Sequence, residues 1–244
     1  MKEKIYTIPV NEAFEADCEC PFCVLERKLE SEAVDYALGA AMMEPDNRIE
    51  SNKKGFCGRH FKMLYDYPNR LGLALVLDTH LQEIRKRLER YDKRPAVSGG
   101  LFRKKPVSAQ LTEELSAIRK PCVICERIDH TMERYEAVSA ELWADEEDFR
   151  KKFENSKGVC LKHFEELCRA AENNLRGAKA EEFIAFLCAK QKKELERIQE
   201  DIHKFTLKFD YRNADMPWGT AKDAPVRCVE KINGYITSED EKEQ

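Results

Sequence analysis

The stretch GFCGRHF at residues 55–61 returns as GVCLKHF at residues 158–164. A Cys-x2-Cys precedes each: Cys20 and Cys23 before the first, Cys122 and Cys125 before the second. The first copy reads Cys20-x2-Cys23, 33 residues, Cys57-x2-His60, and the second reads Cys122-x2-Cys125, 34 residues, Cys160-x2-His163. Four side chains of metal-ligand type, in one order and at nearly equal gaps, recur about 102 positions apart. Such self-similarity points to a duplicated unit rather than to scattered cysteines.

The flanks repeat too. Glu26-Arg27 and Glu126-Arg127 follow the Cys-x2-Cys pairs, each Cys-x2-His is entered through a glycine (Gly55, Gly158) and left through Phe61 or Phe164, and RIESNKKG aligns with KFENSKG once one residue is inserted. The organisation read from this is a first helical half at 1–92, a basic flexible linker at 93–111, a second half at 112–210, and an irregular C-terminal arm with an acidic tail at 211–244. Nine Lys/Arg against two acids between Ile84 and Pro106, with Gly99-Gly100 and two prolines in and beside the segment, set the linker apart.

Two residues between cysteines bend the chain so that both thiolates face one cation. Cys-x2-His at a helix start does the same, because residues i and i+3 share a face, and the helix N-terminus favours thiolate. Three Cys and one His make the closed tetrahedral shell of a structural zinc site. The expectation is one site per half: Cys20, Cys23, Cys57 and His60 around one ion, and Cys122, Cys125, Cys160 and His163 around another. Such a site carries a net charge of about −1, which Arg59, Lys162, Arg27 and Arg127 are placed to offset.

A chain of 244 residues buries an adequate core without disulfides, so its ten cysteines are not needed as staples. The net charge of −4 gives no global attraction to nucleic acid or anionic membrane. Residues 1–14 lack the apolar run of a signal peptide, and LGLALVL at 71–77 is too short to span a bilayer; the expected location is the cytoplasm, where closely spaced cysteines serve metals or catalysis. No P-loop, nucleophile elbow, dinucleotide fingerprint or zincin helix is present.

With 36 % charged residues, few Gly and Pro, and little strand-like alternation, the fold class is all-α. Helices are expected over 24–42, from Cys57 to Pro68, from Asn69 to Tyr91, over 126–142 and 146–155, from Cys160, and beyond Gly177, with 44–55 as a polar return segment. Two stripes, Leu77-Leu81-Ile84-Leu88-Tyr91 and Leu195-Ile198-Ile202-Phe205-Phe209, step by three and four and read as buried seams. Cys168 and Cys188 read as buried small hydrophobes, Cys18 as a spare thiol beside a site or a substitute ligand, and His80, His130 and His203 as ordinary helix positions. The segment 205–235 reads as an extended arm anchored by Trp218, with a ligand site at Trp218, Lys222 and Asp223 as its rival.

CPFCVLER…GFCGRHF and CVICER…GVCLKHF, with DFRKKFENSKG between the second pair, resemble an uncharacterised bacterial family of unknown function marked by tandem CPxC…GxCxxHF units. The resemblance implies Cys/His sites at the eight positions above and brings no activity with it; Val123 stands where the first copy has Pro21. The function read from the sequence is a zinc-binding, non-enzymatic binding or scaffold protein holding two zinc ions, with a protein partner. The alternatives are an iron–sulfur or thiol redox-sensing protein, and an RNA-binding module that uses the basic linker.

Overall fold

The structure, a computed structural model, describes residues 4–92, 106–119 and 122–235. Among the described residues there are eleven α-helices, three short 3-10 turns and no strand, so the chain is all-α as expected. None of these helices is long and apolar enough to cross a membrane. The helices are α1 (Lys4–Ala13), α2 (Pro21–Leu38), α3 (Pro45–Lys54), α4 (Gly58–Asp66), α5 (Arg70–Asp92), α6 (Val107–Arg119), α7 (Val123–Asp145), α8 (Glu147–Asn155), α9 (Leu161–Asn174), α10 (Ala178–Leu207) and α11 (Ala224–Asn233).

The chain clusters into two compact units. A central unit runs from Leu29 to His130; a terminal unit combines the residues up to Lys28 with those from Thr131 onward. The divisions fall inside α2 and α7 rather than in the segment between Asp92 and Pro106.

In the central unit α3 lies against α5, and α6 touches both. The return segment expected at 44–55 is thus largely helical: Pro45 supplies the preset first turn, and Gly55 ends the helix with φ of 68°. Carbonyls in the last turn of a helix lack intrahelical donors, and α5 supplies them. His80 Nδ1 lies 2.8 Å from the Asn52 carbonyl oxygen, and Arg87 Nη2 donates to that of Lys53 at 3.0 Å. Residues 93–105 of the expected linker lie outside the described residues; from Val107 the chain is α6, where Pro106 stands just ahead of a run of good helix formers.

In the terminal unit an aromatic core joins α1, α2, α8 and α10. Phe14 meets Phe153 at 4.7 Å and Phe149 at 5.0 Å between ring centroids, and Phe153 meets Phe183 at 6.1 Å. The arm expected to be irregular is so only up to Asp223; Pro225 in the first turn and Gly234 past the last, with φ of 85°, delimit α11, which packs on α9 and α10. Trp218 does anchor the turn before it, 5.5 Å from the Phe205 ring.

Both seams are met in part. α5 buries Gly72, Leu73, Val76 and His80, keeps Leu77, Ile84, Leu88 and Tyr91 half-buried, and leaves Leu81 56 % exposed. α10 buries Phe183, Leu187, Gln191, Glu194, Ile198 and Asp201, with Ile202 and Phe205 half-buried and Leu195 and Phe209 exposed. Apolar spacing missed the rest of these faces because buried polar side chains complete them. Leu73→Ala should therefore cost about 3 kcal/mol, in the usual range for a buried leucine, whereas Leu81→Ala should change stability by less than about 0.5 kcal/mol. Urea unfolding of the two variants measures both.

Candidate metal centres

The structure gathers all eight predicted ligands into two groups, with the partners exchanged. Cys20 and Cys23 meet Cys160 and His163, while Cys122 and Cys125 meet Cys57 and His60. The expectation that each half closes its own site is thereby corrected. A long helix separates each Cys-x2-Cys from the Cys-x2-His that follows it in the chain: α2, 18 residues and roughly 27 Å, and α7, 23 residues and roughly 34 Å.

Within each group the four ligand atoms lie within 4.8 Å of one another. His163 Nδ1 is 3.4, 3.5 and 3.1 Å from the sulfurs of Cys20, Cys23 and Cys160, and Cys23 and Cys160 are 3.6 Å apart. His60 Nδ1 is 3.3, 3.2 and 3.3 Å from those of Cys57, Cys122 and Cys125, with 3.8 Å between Cys57 and Cys125. A tetrahedron with Zn–S of about 2.3 Å and Zn–N of about 2.0–2.1 Å has S···S edges of about 3.8 Å and S···N edges of about 3.6 Å. The S···S spacings are close to those edges and the S···N spacings somewhat shorter, so a small outward shift of each imidazole would let either group hold one tetrahedral ion.

Local structure builds this convergence from helix N-termini. Cys57 and Cys160 precede the first residues of α4 and α9 with nearly identical torsions, φ −73°, ψ 167° and φ −74°, ψ 167°. Cys20 and Cys122 immediately precede α2 and α7, and Cys23 and Cys125 lie in their first turns. Each group thus receives the N-termini of two helices, whose partial positive charge favours thiolate. The glycine of the repeated Gly-x-Cys enters the left-handed region, φ 68° at Gly55 and 75° at Gly158, where a β-carbon is strained. At Gly55 a β-carbon would also stand 2.7 Å from the His80 ring.

Without metal, each group keeps one thiolate. Hydrogen bonds from Cys20 and Cys23 hold Cys160 far below the ordinary thiol range, while burial pushes Cys20 well above it. In the second group burial opposes charge on both Cys122 and His60, but their mutual bond outweighs it, with Cys122 at about 6 and His60 at about 10.

Each imidazole turns its other nitrogen toward a glutamate that the sequence reading missed. His60 Nε2 is 3.0 Å from Glu30 Oε1, and Arg59 Nη2 grips the same carboxylate at 2.6 Å. His163 Nε2 lies farther from its acids, 3.6 Å from Glu26 and 3.7 Å from Glu166, and Lys162 bonds to Glu26. Arg59 and Lys162 therefore act through the carboxylate behind the ligand. Arg27 and Arg127 instead lie over the rings of Tyr235 and Tyr36. Glu26 and Glu30 were legible only as helix surface. Beyond Glu166 sits Glu136, whose carboxyl is pushed up to about 8 by burial and by the charge of Glu166.

The other thiols stand apart from both groups. Cys18 is half-buried and is not among the ligands. Cys168 is half-buried and Cys188 exposed, not buried as expected, because the buried face of α10 runs through Leu187 and Gln191.

A comparison with family models matches residues 1–239 to a "Family of unknown function (DUF6062)". The chain belongs to this family. No curated protein and no solved structure shows significant similarity to it. Family membership agrees with the resemblance drawn from the CPxC and GxCxxHF motifs and assigns no activity.

α11 closes the group around His163. Lys231, fully buried, donates to the carbonyl oxygens of Glu19 and Lys157, both at 2.6 Å. Those carbonyls precede Cys20 by one residue and Cys160 by three, so one ammonium ties both ligand-bearing loops together. Arg197 grips Glu19 at 2.5 Å and Glu194 at 2.7 Å, and Arg227 bonds to Asp201 at 2.9 Å. Gly234, just past α11, leaves room for only ordinary contact with the sulfurs of Cys23 and Cys160, 3.6 and 3.8 Å from a β-carbon built there.

Two outcomes follow from this geometry. With the exchanged pairing, Cys57→Ala should expose Cys122 and Cys125 to alkylation while Cys20 and Cys23 stay protected, a difference that peptide mass spectrometry resolves; pairing within each half requires the opposite. Lys231→Met should cost about 2 kcal/mol by leaving the carbonyls of Glu19 and Lys157 without their buried donor and weaken metal binding at Cys20, Cys23, Cys160 and His163 alone. Burial raises the carboxyls of Glu194 and Asp201, but bonds from Arg197 and Lys190, and from Thr220 and Arg227, outweigh it and leave both lowered. Their stabilisation is complete above the unfolded carboxylate range near pH 4 and is lost as pH falls through the folded values. Acid below about pH 4 should thus release α11, which hydrogen exchange of residues 224–233 would follow.

Proposed function

We propose that the protein is a zinc-binding, non-enzymatic binding or scaffold module carrying two structural zinc ions. The observation that carries this reading is the pair of groups of three thiols and one imidazole whose spacings fit a tetrahedral ion. Four protein ligands leave no open coordination position for substrate or water, which catalytic zinc requires. The sulfur spacings of 3.6 and 3.8 Å suit edges around one ion, which favours zinc over an iron–sulfur cluster, in which several irons separate the thiolates. At His60 the carboxylate of Glu30, braced by Arg59, is the usual support of a zinc-bound histidine.

The near-identical torsions at Cys57 and Cys160 and the shared order of helices after each Cys-x2-Cys support reading the chain as an internal duplication. On that reading the two copies exchanged partners, and metal fastens each copy to the other. The partner this module serves is expected to be a protein.

Native mass spectrometry and elemental analysis of the purified chain should find two zinc ions and no iron. Visible absorbance from iron, or fewer than two metals in fully reduced protein, would sink the assignment. Raised thiols in both metal-free groups, and the proton that His60 holds, must give way to zinc, so binding should release protons and apparent affinity should rise with pH across the neutral range. Calorimetry in buffers of different ionisation enthalpy reads that release.

A further inference from the structure

The two groups hold the same ligand types but differ in access. Around His163 all four ligands are buried, whereas Cys57 and Cys125 of the group around His60 are half-buried. Ligand order in the repeat makes Cys57 the counterpart of Cys160, and Cys125 that of Cys23. The half-buried pair of one group thus corresponds to the pair that the end of α11 covers in the other. Gly234 lies against Cys23 and Cys160 so closely that a β-carbon there would stand 3.6 and 3.8 Å from their sulfurs.

Cys57 has less around it. Its neighbour Gly58 stands where the other copy has Leu161, and a β-carbon there would meet nothing within 4 Å. The sulfurs of Cys57 and Cys125 are 3.8 Å apart although the residues are 68 positions apart in the chain. Spacing alone does not single them out, because the buried sulfurs of Cys23 and Cys160 are 3.6 Å apart. Access does, since oxidation of a thiolate follows its exposure as well as its charge.

We propose that Cys57 and Cys125 form an oxidisable pair, which a peroxide converts to a disulfide, freeing the ion held around His60 while the ion around His163 stays bound. This rests on the reading of both groups as zinc sites. One thiolate of the pair attacks a peroxide oxygen: the O–O bond breaks, a sulfenic acid forms, and the departing hydroxide takes a proton from solvent to become water. The other thiolate attacks that sulfur. The S–S bond forms as the S–O bond breaks, and the second hydroxide leaves as water with another solvent proton. Two electrons pass in all from the sulfurs to the peroxide. Cys122 and His60 alone then remain of a four-ligand shell, so the ion departs.

The test uses the intact, zinc-loaded chain, its metal content measured first, with hydrogen peroxide as the probe. A chromophoric chelator follows zinc release, and peptide mass spectrometry without reduction maps the bonds. One zinc ion should leave at least about tenfold faster than the other, with the Cys57 and Cys125 peptides joined and Cys20, Cys23 and Cys160 still protected from alkylation. A dithiol reductant and added zinc should restore the lost ion. Cys18→Ser removes a half-buried thiol that is near Cys20 in the chain and is not a ligand, and it should change neither rate. The inference is overturned by equal release of both ions, by faster release from the group around His163, by a first disulfide other than Cys57–Cys125, or by loss of the fast phase in Cys18→Ser. A chain that carries no zinc at the outset overturns the zinc reading instead, and the same peptide map of the reduced, metal-free chain still decides whether Cys57 and Cys125 pair first.

Discussion

Everything near the two sites depends on bringing two helix N-termini to one point. Each terminus offers unpaired N–H groups and a partial positive charge, and two facing each other would repel without an anion between them. Three sulfurs supply that anion, and a divalent ion held among them would let the sulfurs approach one another. Helix N-termini and thiolates thus support each other at α2 with α9, and at α7 with α4. This explains why Gly55 and Gly158 recur: the chain must turn sharply two residues before Cys57 and Cys160 to present each cysteine at the head of its helix.

The surroundings of the two groups differ in how firmly the histidine is held. His60 has a direct bond to Glu30, which Arg59 braces. His163 sits between Glu26 and Glu166 at distances beyond a hydrogen bond, and its loops are tied by Lys231 instead. One centre is thus supported through its imidazole, the other through its backbone. The second device places a fully buried lysine, whose pKa burial lowers against the charge of Glu19, in the path between α11 and the ligands. It makes the C-terminal segment part of a centre whose first ligand is at position 20.

The sequence made the ligand set fully legible, because thiolate and imidazole chemistry at fixed spacing has few other uses. It misled on the pairing: one site per half was expected, yet either arrangement gives each site three sulfurs and one nitrogen, so spacing along the chain does not choose between them. The polar part of the buried face of α10 was hidden because hydropathy counts Glu194 and Asp201 as solvent-facing, whereas here Glu194 meets Lys190 and Arg197 and Asp201 meets Arg227. α3 and α6 were hidden by polar composition; each is held by neighbours rather than by its own apolar stripe. Glu26 and Glu30 look in sequence like any helix-surface acids, and only the turn of each imidazole singles them out.

The exchange also sets the topology of closure. The ligands of one centre span 143 positions, from Cys20 to His163, and those of the other 68, from Cys57 to Cys125, with the shorter span nested inside the longer. Loop-closure entropy favours the inner centre only weakly, by about 0.6 kcal/mol for each doubling of length, so at equilibrium the two are nearly matched on this count. Order of synthesis separates them more strongly. The inner centre has all its ligands once Cys125 has emerged, and they lie within the compact unit Leu29–His130. The outer centre must wait for His163, and its clamp for Lys231. Cys20, Cys23, Cys57 and His60 all emerge before Cys122, so order of synthesis by itself would favour the pairing within the first half. The exchanged pairing is therefore chosen by packing: once the inner set has closed within its unit, Cys20 and Cys23 are the Cys-x2-Cys left for Cys160 and His163.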